Sequence, residues 1–389
     1  MRLFGPTQKD IAEALQLSQS TVALALNPKQ QHKLQPETVA HIQAKAVELG
    51  YRPQKLARIL RSGRSHTIGV VYRQGHYHAP QERVKFLAQQ AIRAGYQLIA
   101  VDLDWFGKDN KGVQDYLLGA AVEGVVLVNL PLHNLETWEE FFRDRGLPVV
   151  SLSSLAAECW DDAQADLETA FFEMAQHHLA QGSRRLTLLT SFHDKGFRGP
   201  SFSTILGRVN GFSRAVREAG GSIVADEETR NYLLLKKEKA AGGGLVGEIY
   251  SPVRTEEHHS AFELGRVVAE QMILENRHTD SLICNNDEIA AGAMAACLHY
   301  GTQVPGALKI SGADDAPFSR YCGVPLTTIR QPSEEMTRWC IERIVQLIEN
   351  PAERTRPQKR TFPCELVFRR SSGVFSEPLQ ASRSPQGVS

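Results

Sequence analysis

Gln19, Ser20 and Thr21 place an amide and two hydroxyls at the head of a short helical pattern, where they could hydrogen-bond base edges in a DNA major groove. The elements that would hold them are legible on either side. Thr7 followed by Asp10 has capping-box spacing, and Ile11, Ala12 and Leu15 make an apolar helical face. Ser18 is a good N-cap for a second helix, whose Val22, Ala25 and Leu26 pack back on the first before Asn27-Pro28 stops it. Two short helices joined by a tight turn predict a helix-turn-helix over Thr7 to Asn27, in which the first helix braces on the phosphate backbone. Gln35-Pro36-Glu37 opens a third helix, with Val39, Ile42, Ala46 and Leu49 at helical intervals and Gly50 at its close.

Covalent chemistry has thinner support. His193-Asp194, Asp314-Asp315 and Cys284 are residue types that catalysis uses, but no nucleophile elbow, Walker motif or metal-ligand spacing accompanies them. The expectation is a protein that is not an enzyme and needs no metal or cofactor. The six cysteines are scattered without a C-x-x-C pair and read as reduced core residues. Gly242-Gly243-Gly244, in the poorly periodic stretch Tyr232 to Thr255, reads as a surface loop, because no strand pattern precedes it and no Gly-Lys-Ser/Thr follows.

With 389 residues, 42% hydrophobic and 23% charged, the chain suits two or three globular domains. Its formal charge is zero but unevenly spread. Residues 1 to 65 hold ten Lys/Arg against four acids, a charge of +6 that leaves −6 on the remainder. A basic headpiece on an acidic body is the footprint of a module that meets a polyanion. No apolar signal segment follows Met1 and no run approaches the roughly 18 apolar residues of a membrane span, so a cytoplasmic protein is expected.

From Thr67 the pattern becomes strand-then-helix. Strands are predicted at Thr67 to Tyr72, Gln97 to Val101, Gly124 to Asn129 and Pro148 to Leu152, alternating with helices, and a second such series begins at Asp166. Late elements, a strand at Leu326 to Ile329, a helix at Ser333 to Glu349 and a strand at Phe362 to Phe368, would return to complete the two halves. The expected fold is an α-helical helix-turn-helix headpiece (1–52), a basic hinge (53–65), an α/β sensor of two doubly wound parallel-sheet subdomains (66–375) and a disordered Ser/Pro/Gln-rich tail (376–389). A small ligand would bind between the subdomains, at the carboxyl ends of their strands.

Taken in order, TQKDIAEALQLSQSTVALALN, ELGYRP, LARILRSGRSHTIGVV, GLPVVSL, RVNGF, NNDEIAAGAM, VPGALKISGADD, PLTTIRQP and CELVFRRSSG resemble the lactose-repressor/galactose-repressor (LacI/GalR) family of bacterial transcription regulators, from about Thr7 to Gly373. The resemblance implies a dimeric repressor with a periplasmic-binding-protein-like sensor, whose hold on double-stranded operator DNA is set by a small effector, with a sugar preferred over a nucleobase. It places Gln19 and Ser20 on base-reading positions, with Thr7, Ser18, Thr21, Leu24 and Asn27 around them. Leu60, flanked by Arg58, falls on the hinge leucine that wedges into the minor groove. Arg208 and Asp287 fall on effector-contacting positions, and Asp166 on the pocket rim. Their plainer alternatives are a surface arginine and a helix N-cap for the first two. Tyr72 and Trp160 complete the candidate ligand set, and Trp105, Trp160 and Phe192 would each either stack on a ring or sit in a wall.

The chain also departs from the family. Ala23-Leu24 stand where many members carry Ser-Arg, which exchanges a polar DNA contact for an apolar one suited to a thymine methyl. Gln54 replaces a common hinge asparagine. No leucine-heptad tail follows Phe375, which favours a dimer over a tetramer. The rival expectation is a solute-binding sensor whose N-terminus is only a helical appendage, and affinity for operator DNA separates the two.

Overall fold

The computed structural model describes residues 6–27, 30–51, 63–73, 78–106, 110–128, 135–153, 159–190, 203–233, 244–252 and 260–373. The chain divides into two compact units, Met1–His66 and Thr67–Ser389.

In the first unit, α1 (Gln8–Leu15), α2 (Gln19–Ala25) and α3 (Pro36–Glu48) enclose a small core of Ile11, Ala12, Val22, Ala25, Ile42 and Ala46. The caps form as the sequence predicts. Thr7 Oγ1 accepts the Asp10 N–H (3.3 Å) while Asp10 Oδ2 accepts the Thr7 N–H (2.6 Å), so two otherwise orphaned donors are answered reciprocally. Gln16, at φ +54°, ends α1 in the left-handed region and turns the chain toward α2.

In the second unit, the first subdomain is built from β1 (Thr67–Tyr72), α4 (His78–Arg93), β2 (Gln97–Asp102), α5 (Asn110–Gly119), β3 (Gly124–Val128), α6 (Leu135–Asp144), β4 (Val149–Leu152) and β5 (Asp161–Ala165). The next stretch supplies α7 (Leu167–Ala180), β6 (Arg185–Leu189), α8 (Ser203–Glu218), β7 (Ser222–Val224), α9 (Glu227–Leu233), β8 (Val246–Tyr250), α10 (Ala261–Leu274), β9 (Ser281–Cys284), α11 (Asp287–His299) and β10 (Lys309–Ser311). Finally come β11 (Thr328–Arg330), α12 (Ser333–Glu349), β12 (Lys359–Phe362) and β13 (Glu365–Val367).

Two parallel sheets result, ordered β12-β5-β4-β3-β1-β2 and β10-β9-β6-β8-β7, and β11 pairs antiparallel with β13. The returning elements complete the first subdomain. Met336, Cys340, Ile341, Ile344 and Leu347 of α12 pack against Ile68, Val70, Val126 and Val150 of the sheet. Nearly continuous apolar strands such as β1 and β3 fit a sheet covered on both faces.

The differences from the sequence expectation are local. The late strand expected at Phe362 to Phe368 is two strands, β12 beside β5 in one sheet and β13 beside β11 in another. The stretch expected to loop from Tyr232 to Thr255 contains β8, which lies between β6 and β7. The strand expected at Leu326 forms at Thr328. Arg58 and Leu60, most of the expected hinge, Phe192, His193-Asp194 and the expected tail lie outside the described residues.

Candidate nucleic-acid interface and ligand cleft

On α2, Val22 and Ala25 are fully buried, which turns Gln19 and Ser20 to solvent and leaves Thr21 and Leu24 half-exposed. Ser18 caps the helix: its Oγ accepts the Thr21 N–H (3.0 Å) and lies 2.7 Å from Ser20 Oγ and 2.8 Å from Thr21 Oγ1. These three hydroxyls hold one another in place. Gln19, outside that network, projects a two-headed amide able to read an adenine edge. Asn27 is exposed two residues beyond the end of the helix.

The second unit gathers its polar groups where its strands end. Tyr72 closes β1 beside Asp102, and burial, then that carboxylate, raises its phenol above the ordinary range. From α4, the His78 N–H donates to Glu288 Oε1 (2.6 Å), and Arg83 Nη2 donates to Gln331 Oε1 (2.7 Å). Gln331 Nε2 passes the chain on to Asp314 Oδ1 (2.5 Å). These bonds tie α4 of the first subdomain to the start of α11 and to the segments around Asp314 and Gln331. Asp314 and Asp315 both lie in the left-handed region, at φ +105° and +47°. Strain of that kind, on the order of 1–3 kcal/mol for each residue, persists only where surrounding contacts fix it. Asp315 is fixed by Arg330 (2.8 Å) and Arg369 (2.5 Å).

Arg208, on α8, is buried with its guanidinium 5.5 Å from the Phe171 ring. It is therefore not a surface arginine. Asp287 is fully buried, and its carboxylate accepts the Thr328 hydroxyl (2.6 Å) and the Ala316 N–H (2.8 Å). The N-cap of α11 is its neighbour Asn286, whose Oδ1 accepts the Ile289 N–H (2.9 Å). Asp166 caps α7 through the Thr169 N–H (3.0 Å).

Cys364, half-buried between β12 and β13, marks where these groups converge. Arg208, Arg83, Asp166 and Asp314 all act on its thiol, which burial pushes up to about 12. Two buried polar atoms near these strand ends, Glu288 Oε2 and Ser153 Oγ, have no partner among the described residues. Groups of these types can hydrogen-bond a polar ligand with several hydroxyl or amide groups. The sequence pattern does not single out Arg83, Glu288, Ser153 or Gln331, and it marks Asp314, with Asp315, only as a residue type that catalysis uses. Trp160 is not brought to this cluster, because it immediately precedes β5 at the opposite edge of the sheet. Trp105 is exposed.

Glu288 supplies a pH test. Burial first, and Asp314 second, push its carboxyl from 4.5 to about 7. A folded pKa above the unfolded value stabilises the fold fully below about 4.5, and that contribution is lost as pH rises through 7. Between pH 5 and 7.5 the wild type should lose about 2 kcal/mol relative to Glu288→Gln. Urea denaturation of both proteins at the two pH values measures the difference, and parallel behaviour would mean that this carboxyl titrates normally.

A capped helix-turn-helix unit followed by two parallel α/β subdomains that a polar network ties together defines a class, that of ligand-sensing regulators built on a solute-binding fold. The chain belongs to the periplasmic binding protein-like domain family, which matches residues 175–372, and is a regulator of the LacI/GalR family. It is 25% identical over 370 residues to the HTH-type transcriptional repressor CytR of Escherichia coli, covering 94% of this chain and 96% of that one. Similarity to the ribose operon repressor of Haemophilus influenzae is 25% over 369 residues, covering 90% and 94%. A crystal structure of the lac repressor dimer bound to operator and the anti-inducer ONPF shares the fold, with a TM-score of 0.71, 21% identity and coverage of 95% and 99%. The complex of the transcriptional regulator CelR with cellobiose aligns with a TM-score of 0.61 at 20% identity, covering 94% and 99%.

Proposed function

We propose that this protein is a cytoplasmic transcriptional repressor whose grip on operator DNA is set by a small polar effector, a carbohydrate in the first instance, bound between the sensor subdomains. The observation that carries this reading is α2, a capped helix with one face locked in the core and Gln19 and Ser20 on the other. Thr7, Ser18, Thr21, Leu24 and Asn27 would supply backbone and flanking contacts, and Arg58 and Leu60 would serve as the hinge wedge. Arg208, Asp287, Asp166 and Tyr72 would line the effector site. The named relatives are repressors, and the structure of a similar regulator is a complex with cellobiose, which supports a sugar.

A homodimer would present two headpieces to the half-sites of a pseudo-palindrome. Effector binding would alter how the subdomains are tied through Arg83, Gln331 and Glu288, with a coupling of about 1–3 kcal/mol, enough for a switch.

The test is an anisotropy titration against the DNA upstream of the protein's own and neighbouring genes, at two salt concentrations, with and without a panel of sugars and nucleosides. Tight, steeply salt-dependent binding to one imperfect palindrome, altered by one compound, is the expected result. Gln19→Ala should weaken that binding by roughly 1–3 kcal/mol and relax selectivity at one base pair. Sequence-indifferent binding by a protein that still takes a ligand would leave only the sensor.

A further inference from the structure

A cavity of about 430 Å³ opens on the first subdomain at the edge where its strands begin. Val149 starts β4 and Asp161 starts β5, so the cavity lies about 15 Å, a strand's length, from the cleft described above. Its volume falls in the range of small-molecule sites.

One wall is aromatic. The Phe142 and Trp160 rings pack edge to face with centroids 5.7 Å apart, and Val149 and Leu347 extend the apolar surface. At the rim stands Arg354, whose guanidinium is fixed by main-chain acceptors: Nε donates to the Leu347 carbonyl (2.9 Å) and Nη1 to the Gly146 carbonyl (2.7 Å). Among the described residues no carboxylate pairs with it. Burial alone holds its pKa below the ordinary arginine value, with no neighbouring charge contributing.

Of the two acids that line the cavity, only Asp161 is paired with a cation among the described residues. Asp161 is bound by Arg343 (2.7 Å) and the Gln358 N–H (2.8 Å), and Glu139 accepts the Cys159 thiol (3.6 Å). The cavity therefore offers an apolar wall, made by the edges of a largely buried aromatic pair, beside a rigid, partly desolvated cation with its Nη2 edge unspent.

We propose that this cavity is a second ligand site, separate from the effector cleft, that takes a planar aromatic or heteroaromatic acid. The ring would enter the cavity against the edges of Phe142 and Trp160 and the acid group would meet Arg354, whose fork suits a carboxylate, sulfonate or phosphate. The occupant would rest on the C-terminal end of α12, which begins two residues after Gln331 of the cleft. The site does not depend on whether the headpiece reads DNA.

1-Anilinonaphthalene-8-sulfonate, an aromatic sulfonate, is a suitable probe on the full chain. One saturable site per chain is expected by fluorescence. Arg354→Met should weaken it about tenfold or more, while Arg354→Lys, which keeps the charge, should retain more affinity than Met. Because Cys159 is the exposed thiol at the rim, saturating probe should slow its alkylation by iodoacetamide, read by peptide mass, and leave Cys322 unchanged. Equal probe affinity in wild type and Arg354→Met would overturn the proposal. So would unprotected Cys159, or full displacement of the probe by a sugar that acts in the cleft.

Discussion

Gly292→Ala is expected to destabilise the sensor by about 3 kcal/mol or more, despite adding a single methyl to a helix. A Cβ at Gly292 of α11 would sit 1.9 Å from the Phe262 carbonyl oxygen and 2.8 Å from the Arg266 nitrogen. On the facing helix α10, a Cβ at Gly265 would sit 1.9 Å from the Ile289 carbonyl oxygen. Each helix thus uses its glycine to admit the other's main chain, and no rotamer change can relieve a clash with backbone. The helices would have to separate, which would loosen a core that includes Leu264, Val268, Ile289 and Ala293 and shift the end of α11 that carries Asp287 and Glu288. Gly119→Ala is the control. It lies at the end of α5 with no atom within 4 Å of the added Cβ, so the same change should be neutral or stabilise by up to roughly 1 kcal/mol. Urea denaturation of the three proteins decides the matter, and a Gly292→Ala protein as stable as the control would mean that the two helices do not cross so closely.

What the sequence made legible was whatever is settled within a few residues. The Thr7 and Ser18 caps, the limits of β1 and the limits of α12 all depend on local spacing, and they fall where that spacing puts them. Asp287 shows the margin of error, since the cap lies one residue earlier, at Asn286, and this frees the aspartate to bind Thr328 and Ala316. The strand β5 was invisible because Asp161-Asp162-Ala163-Gln164-Ala165 lacks the apolar pattern by which strands are recognised. Its carboxylates are answered by residues far along the chain or on a neighbouring strand: Arg343 holds Asp161, and the Ser151 hydroxyl donates to Asp162. The cleft network was illegible for the same reason, since Arg83, Glu288, Asp314 and Gln331 come from four separate segments and meet only after the sheets form. The type of Trp160 alone makes it a candidate ring platform, whereas the end of the sheet it occupies follows from the direction of β5.

Arg343→Met should be among the most damaging substitutions in the first subdomain, with an expected loss of about 3–5 kcal/mol. Arg343 is 2% exposed on α12 and its Nε donates to Asp161 Oδ1 at 2.7 Å. Its other nitrogens reach Gln346 (3.0 Å), the Glu353 carboxylate (3.4 Å) and the main-chain carbonyls of Glu353 (3.3 Å) and Arg356 (3.5 Å). Methionine fills much of the volume but leaves Asp161, 4% exposed, as a buried carboxylate with only the Gln358 N–H to answer it. The damage should come from that stranded charge more than from lost packing, and a second substitution separates the two. Asp161→Asn keeps an oxygen for Gln358 and removes the charge, so Arg343→Met with Asp161→Asn should recover much of the loss. Denaturant titrations of both single variants and the double measure the coupling. If the double variant is no more stable than Arg343→Met alone, the arginine acts mainly by packing and by holding the 353–356 turn, and the ion pair contributes little to the subdomain.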